Sequence, residues 1–143
     1  MKLIIHRGAN EIGGSCVELS SSSTRIFLDL GQPLDNRKVQ LPENLKDSSG
    51  ILISHAHADH YGLIDQAPPE IPLYCSQITK QLIQASRIFT GKPLLTQKFI
   101  DFHKWEKFQI GDFVITPYLM DHSAVVSFAF LLFGFSSSLF FMF

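Results

Sequence analysis

Four side chains able to hold a divalent metal fall within six positions, in the run His55-Ala56-His57-Ala58-Asp59-His60. Imidazole nitrogens and carboxylate oxygens suit zinc and related ions. His55 and His57 are two apart, so an extended backbone sends both rings to one side. A turn after them would aim Asp59 and His60 at a neighbouring position, giving room for one or two ions. A single histidine in a loop carries no such meaning, and Asp59 alone could cap a following helix. The whole pattern should arise by chance on the order of once in ten thousand chains of this length. It reads as a metal site.

The elements around this run must place it. Ile51–Ile53 is a short apolar stretch after Gly50, the pattern of a buried strand, and it leads straight into His55. Lys2–His6, Ser15–Leu19 and Arg25–Leu30 also read as strands, the last two joined as a hairpin through Ser20–Thr24. In the third, alternation puts Ile26, Leu28 and Leu30 on one face and Phe27 and Asp29 on the other. Asp35–Ser49 reads as loop with one helical turn. A short helix spans Asp59 to Gln66 and is closed by Pro68-Pro69. Leu73–Cys75 is a strand, and Ser76 caps a helix to Phe89. Ile78, Leu82, Ala85 and Phe89 form its apolar face, with Lys80, Gln84 and Arg87 opposite. Phe99–Phe102, Glu106–Ile110, Asp112–Tyr118 and Val125–Phe133 complete the strand set. Strands alternating with helices imply a layered α/β architecture.

Composition narrows the function. The chain has 143 residues, the size of one domain, with 45% hydrophobic and 17% charged residues and a net charge of −1. No Lys/Arg run is present, which argues against a protein that coats nucleic acid, though not against an enzyme that handles it locally. Cys16 and Cys75 are too few for a disulfide scaffold and read as small buried residues. The apolar run in Met1–Gly8 is too short for a secretory signal, so a cytoplasmic setting is expected.

The motif resembles that of the metallo-β-lactamase fold hydrolases, whose signature is H-x-H-x-D-H after a buried strand. Phe27-Leu28-Asp29-Leu30-Gly31 is similar to the family's earlier strand, which ends in an Asp behind the metal ligands. Asp121-His122-Ser123 resembles the segment that supplies the next ligand. Gly8-Ala9-Asn10-Glu11-Ile12-Gly13-Gly14 resembles the opening loop of the ribonuclease J-like and β-CASP nucleases. The resemblance implies that His55, His57 and His122 hold one zinc, while Asp59 and His60 belong to a second. It further implies that Asp59 takes part in catalysis and that Asp29 steadies the ligand loop. The fold implied is the first half of an αββα sandwich with an incomplete second half. The reaction implied is hydrolysis of a phosphodiester, small or nucleic acid, by zinc-activated water. By the same analogy Glu11 faces the site or is a plain loop residue. Read from the residues themselves, His6-Arg7 contacts an anionic substrate at the site mouth or is an exposed strand end. His103-Lys104-Trp105-Glu106 reads as a charged aromatic loop.

The last part of the chain departs from the family pattern. Every Asp, Glu, Lys and Arg lies at or before Asp121, and no His or Cys follows His122. The family's later ligands are therefore missing, and a truncated, inactive fragment is the alternative to an active hydrolase. Ser123–Phe143 is uncharged and carries seven of the 13 Phe. A helix of that length would cross a bilayer, so a membrane-tethered binding fragment is a further alternative. The β-branched Val125 and Val126 and the Ser136–Ser138 run favour a strand instead. The expected division is a partial domain over 1–133 and an apolar tail over 134–143 with nothing to cover it.

Overall fold

The structure, a computed structural model, describes residues 1–35, 37–134 and 137–141. Strands β1 (Lys2–Arg7), β2 (Cys16–Ser20), β3 (Arg25–Leu28), β4 (Gly50–Leu52), β5 (Leu73–Cys75) and β6 (Phe99–Asp101) form one sheet in that order. β1 to β3 run antiparallel, and β3 to β6 are parallel. A second, antiparallel sheet has the order β10-β9-β8-β7, from β7 (Phe108–Ile110), β8 (Phe113–Met120), β9 (Ser127–Gly134) and β10 (Ser137–Phe141). The α-helices among the described residues are α1 (Ala58–Tyr61) and α2 (Gln77–Phe89).

Side-chain alternation explains the layering. Ile26, Leu28 and Leu52 leave one face of the first sheet and meet Phe113, Ile115, Phe130 and Leu132 of the second. Phe27, Ile51, Ile53 and Leu73 leave the other face and pack with Ile83 of α2. The result is helix, sheet, sheet: a mixed α/β fold in which both faces of the first sheet are covered. Short runs such as Ile51–Ile53 are apolar throughout because each face has its own core.

Three local expectations are corrected. Leu30 sits with Phe27 rather than with Ile26 and Leu28, because β3 stops at Leu28 and Asp29 turns into the left-handed region at φ 59°. The alternation therefore ends two residues early. In α2 the buried stripe is Thr79, Ile83 and Arg87, while Ile78 is 45% and Phe89 90% exposed. Arg87 can be buried because its Nη1 donates to Asp65 (2.7 Å) and its Nε to the Pro93 carbonyl. That fixes the helix rotation against its apparent apolar face. Finally, the expected helix over Asp59–Gln66 is one turn of α1 followed by a 3-10 turn at Ile64–Gln66.

β8 and β9 pair along their whole length, from Val114 opposite Phe133 to Met120 opposite Ser127. Beyond them, Ser137–Phe141 adds β10 to β9 in place of an uncovered tail. Leu139 and Phe141 join the inter-sheet core, and Phe140 points outward at 51% exposure. Alternating apolar residues thus continue the sheet. Phe135, Ser136, Met142 and Phe143 of the expected tail lie outside the described residues. No helix among the described residues is long and apolar enough to cross a membrane.

One buried polar knot ties the edge of the first sheet. Glu18 on β2 is 1% exposed and accepts from His6 Nε2 (2.8 Å), Arg25 Nε (2.8 Å) and Asn44 Nδ2 (2.8 and 2.9 Å). Burial acts to raise its pKa, but the bonds from His6, Asn44 and Arg25 outweigh it and hold the carboxyl below its ordinary value. A depressed folded-state pKa gives stability that is present above the unfolded value of about 4.3 and is lost as pH falls through the folded one. Glu18→Gln is therefore expected to flatten the loss of stability in urea unfolding below about pH 4.3. An unchanged acid limb would refute this linkage.

The register makes a second prediction. Phe130→Ala, at a fully buried position, should cost about 3–5 kcal/mol. Phe133→Ala, three residues on but 43% exposed, should cost less than about 1 kcal/mol. Urea unfolding of the two variants measures the difference, and equal losses would contradict the observed facing of β9.

Candidate metal centre

The site is built where the two sheets meet. β4 runs on through Ile53, whose N–H donates to the Tyr74 carbonyl (2.9 Å), and then leaves the sheet at Ser54. There the second sheet takes hold of it: Phe128 N–H donates to the Ser54 carbonyl (3.1 Å), and His55 bridges to Ser127. Ser127 is the first residue of β9, so the loop joining β8 to β9 hangs directly over His55. That loop carries His122. The ring centroids of His55 and His122 are 4.9 Å apart, and those of His57 and His122 are 5.9 Å apart.

The candidate ligand atoms of His55, His57 and His122 all lie within 4.8 Å of one another. His55 Nε2 is 3.1 Å from His57 Nδ1. Zinc–nitrogen bonds of about 2.0–2.1 Å in a tetrahedron put neighbouring nitrogens about 3.3 Å apart. The donor set and its spacing therefore fit such an ion, and three ligands leave a fourth position open. Asp59 and His60 lie beside this group, with Asp59 Oδ2 3.6 Å from His60 Nε2 and the His60 ring centroid 4.0 Å from that of His55.

Asp29 organises the cluster from behind. Its carboxylate is fully buried, accepting from Ser54 N–H (2.8 Å), Ser54 Oγ (2.8 Å) and His60 Nδ1 (2.7 Å). An ionised carboxylate only accepts, so His60 carries a proton on Nδ1, and in the neutral ring the lone pair is on Nε2, turned away from Asp29. Ser54 has one hydroxyl proton and gives it to Asp29. Its oxygen therefore accepts from His55 Nδ1 (3.0 Å), which leaves the His55 Nε2 lone pair facing His57. One buried carboxylate sets the tautomers of two imidazoles.

Electrostatics separates those rings. Burial, then the neighbouring His60, His57 and His122, push the His55 pKa down to about 3, so the ring is neutral near pH 7. For His60 burial pulls the pKa down as well, but the hydrogen bond and charge of Asp29 and the charge of Asp59 more than offset it, and the value is raised.

The sequence did not single out Ser54 or the contact at Gly31. A serine before a histidine is unremarkable until Asp29 lies opposite it. Gly31 N–H donates to the Ser15 carbonyl, and Ser15 N–H donates to the Asp59 carbonyl (2.8 and 2.9 Å). Leu30 and Gln32 donate to the carbonyls of His60 and Ala58 (2.8 and 3.0 Å). The ligand loop is thus laced to the segment after β3, and a Cβ on Gly31 would stand 1.7 Å from the Asp59 carbonyl oxygen. Glu11 forms an ion pair with Arg37. His103 is exposed in the β6–β7 connection. Burial raises both thiols, Cys16 and Cys75, to about 12, so neither offers a thiolate to a metal.

Gly31→Ala is expected to lower stability by at least about 3 kcal/mol, because the colliding atom is backbone. Gly91→Ala, where a Cβ meets nothing within 4 Å but φ is 68°, should cost only about 1–2 kcal/mol. Thermal unfolding of both variants reads the contrast. A mild Gly31→Ala would mean that the two loops are not in this contact.

Residues 26–140 match the model of the beta-lactamase superfamily domain. The chain is 30% identical over 90 residues to a probable RNase, MJ4, of Methanocaldococcus jannaschii, a match covering 59% of this chain and 21% of that protein. It is 33% identical over 81 residues to an RNase J-like protein of the same organism, covering 57% of this chain and 19% of the relative. The chain thus spans about a fifth of the length of these curated relatives. Among solved structures, the metallo-β-lactamase fold protein YhfI of Bacillus subtilis superimposes with a TM-score of 0.66 at 16% identity, over 95% of this chain and 59% of that one. With most of its length matched and two facing sheets that meet at a histidine cluster, this chain belongs to the β-lactamase superfamily domain family and has the metallo-β-lactamase fold.

Proposed function

We propose that the chain carries the metal centre of a phosphodiester hydrolase acting on RNA. The observation that carries this reading is the convergence of His55, His57 and His122 on one point beside Asp59 and His60. The centre opens into a cavity of about 540 Å³, wide enough for a nucleotide. The names of the two archaeal relatives, a probable RNase and an RNase J-like protein, support the substrate class.

His55 Nε2, His57 Nδ1 and a His122 ring nitrogen would hold the ion, which is zinc in this reading. Bound there, it supplies Lewis acidity, bringing the pKa of water towards neutrality and stabilising negative charge on the attacked phosphate. Asp59 Oδ2, 3.6 Å from His60 Nε2, would orient the attacking water by accepting its hydrogen bond. Asp29 and Ser54 keep the His55 and His60 lone pairs directed at the centre, so no rotation is needed when an ion arrives. Desolvation keeps His55 neutral, which removes proton competition at that one ring at ordinary pH.

A second reading, metal binding with little turnover, has its own support. Among the described residues, His55, His57 and His122 are the one group of three or more metal-ligating side chains that converge. Asp59 and His60 form only half of a second site. One zinc per chain is therefore expected, with weak hydrolysis of bis(p-nitrophenyl) phosphate.

His57→Ala should lower zinc affinity at least about 100-fold, measured by competition with a chromogenic chelator. Asp59→Ala should retain the first zinc and lose about 100-fold in turnover. Failure of the wild type to bind zinc would overturn the metal centre. Turnover unchanged in Asp59→Ala would remove Asp59 from the chemistry. Zinc binding without hydrolysis would decide for the second reading.

A further inference from the structure

We propose that Arg7 is the phosphate-holding residue of this cavity, and that the cavity takes a nucleotide with its organic part against the wall formed by Ile5, Ile12 and Phe141. The inference rests on the phosphodiester reading and assigns to it a residue outside the metal centre.

Arg7 ends β1, just after the register shifts between Ile5 and Arg7. Such a bulge re-aims side chains, and both Ile5 and Arg7 line the cavity that His57, His60 and His122 also line. Arg7 Nε donates to the Gly14 carbonyl (3.1 Å) and Nη2 to the Gly31 carbonyl (3.2 Å). These bonds hold the guanidinium in one orientation without neutralising it. Among the described residues no carboxylate lies within ion-pair distance of Arg7, and Nη1 has no partner. The other three arginines of the chain each meet an acid: Arg25 with Glu18, Arg37 with Glu11 and Asp35, and Arg87 with Asp65.

A half-buried, pre-oriented guanidinium fork without a counter-ion is suited to a phosphate, which it can grip through two N–H groups. Arg7 is also the one Lys or Arg that lines this cavity. The opposite character sits close by. Ile5 is 50% and Ile12 87% exposed, unusual positions for isoleucine, and both line the cavity with Phe141. An anion alone would gain nothing from that wall, whereas a nucleoside phosphate uses both ends. The Arg7 bonds reach Gly14 and Gly31, so the fork is held by the same backbone that positions Asp59.

The probe is uridine 5′-monophosphate, titrated into the full chain with and without zinc and followed by calorimetry and by the Arg7 Nε–H resonance. Expected are binding of the nucleotide at least tenfold tighter than inorganic phosphate, and a loss of at least tenfold in Arg7→Gln with an intermediate Arg7→Lys. Ile12→Ser should weaken the nucleotide and leave inorganic phosphate unchanged. With bis(p-nitrophenyl) phosphate as substrate, Arg7→Gln should raise KM more than it lowers kcat. A folded Arg7→Gln with unchanged nucleotide affinity overturns the proposal. Should that variant fail to fold, the wild-type Arg7 Nε–H resonance decides: it shifts with the nucleotide and not with uridine, or the proposal falls. Hydrolysis by wild type with an unaltered KM in Arg7→Gln would reject the Arg7 role and leave the hydrolase reading intact. Arg7-dependent nucleotide binding without hydrolysis would do the reverse.

Discussion

The buried Asp29 carboxylate is the interaction on which the rest of the site depends. It sits at the end of β3 with its own N–H on the Leu52 carbonyl (2.8 Å), and its oxygens gather Ser54 and His60. A buried carboxylate must be fully satisfied, or its desolvation would cost several kcal/mol. Here the groups that satisfy it are the backbone and hydroxyl at the exit of β4 and the imidazole of α1. The demand of one charge for hydrogen bonds thereby fixes the path of the ligand loop and the tautomers of His55 and His60. Its left-handed backbone, at φ 59°, costs about 1–2 kcal/mol. The bonds it makes possible offset that.

Two facing sheets supply what a local motif cannot. His55 and His57 follow one strand and are neighbours by sequence, but His122 arrives only because β9 begins against Ser54 and His55. The inter-sheet core of Phe113, Ile115, Phe128 and Phe130 holds that approach rigidly. The same packing desolvates His55, so the architecture that brings the three histidines together also disfavours the protonated form of His55.

Close approach is the other constraint. The segment after β3 and the histidine loop are joined by backbone hydrogen bonds at Leu30 and Gln32, with Ser15 bridging Gly31 to Asp59 and no space for a side chain at Gly31. Arg7 adds its own bonds to Gly14 and Gly31 at the edge of the same lacing. Strand ends, a glycine contact and an arginine fork thus converge on one rim of the first sheet, where the cavity opens.

Much of this was legible in the sequence. The spacing of His55, His57, Asp59 and His60 after an apolar run carried the chemistry, because ligand type and strand period are local properties. The hairpin of β2 and β3, the Ser76 cap, which accepts from Thr79 N–H at 3.1 Å, and the strand character of β8 and β9 were readable for the same reason. What failed were inferences that depend on a partner distant in the chain. Alternation placed Leu30 wrongly because Asp29 turns to meet Ser54. The apparent apolar face of α2 lost to a stripe in which Arg87 is buried by virtue of Asp65 and Pro93. Ser54 and the close contact at Gly31 carried no signal, since those roles exist only against Asp29 and Asp59. Residue types and short-range periods thus determined which atoms could bind a metal. Only the tertiary structure decided which of them meet and which nitrogen each presents, because hydrogen-bond satisfaction of a buried charge is settled by contacts between segments far apart in sequence.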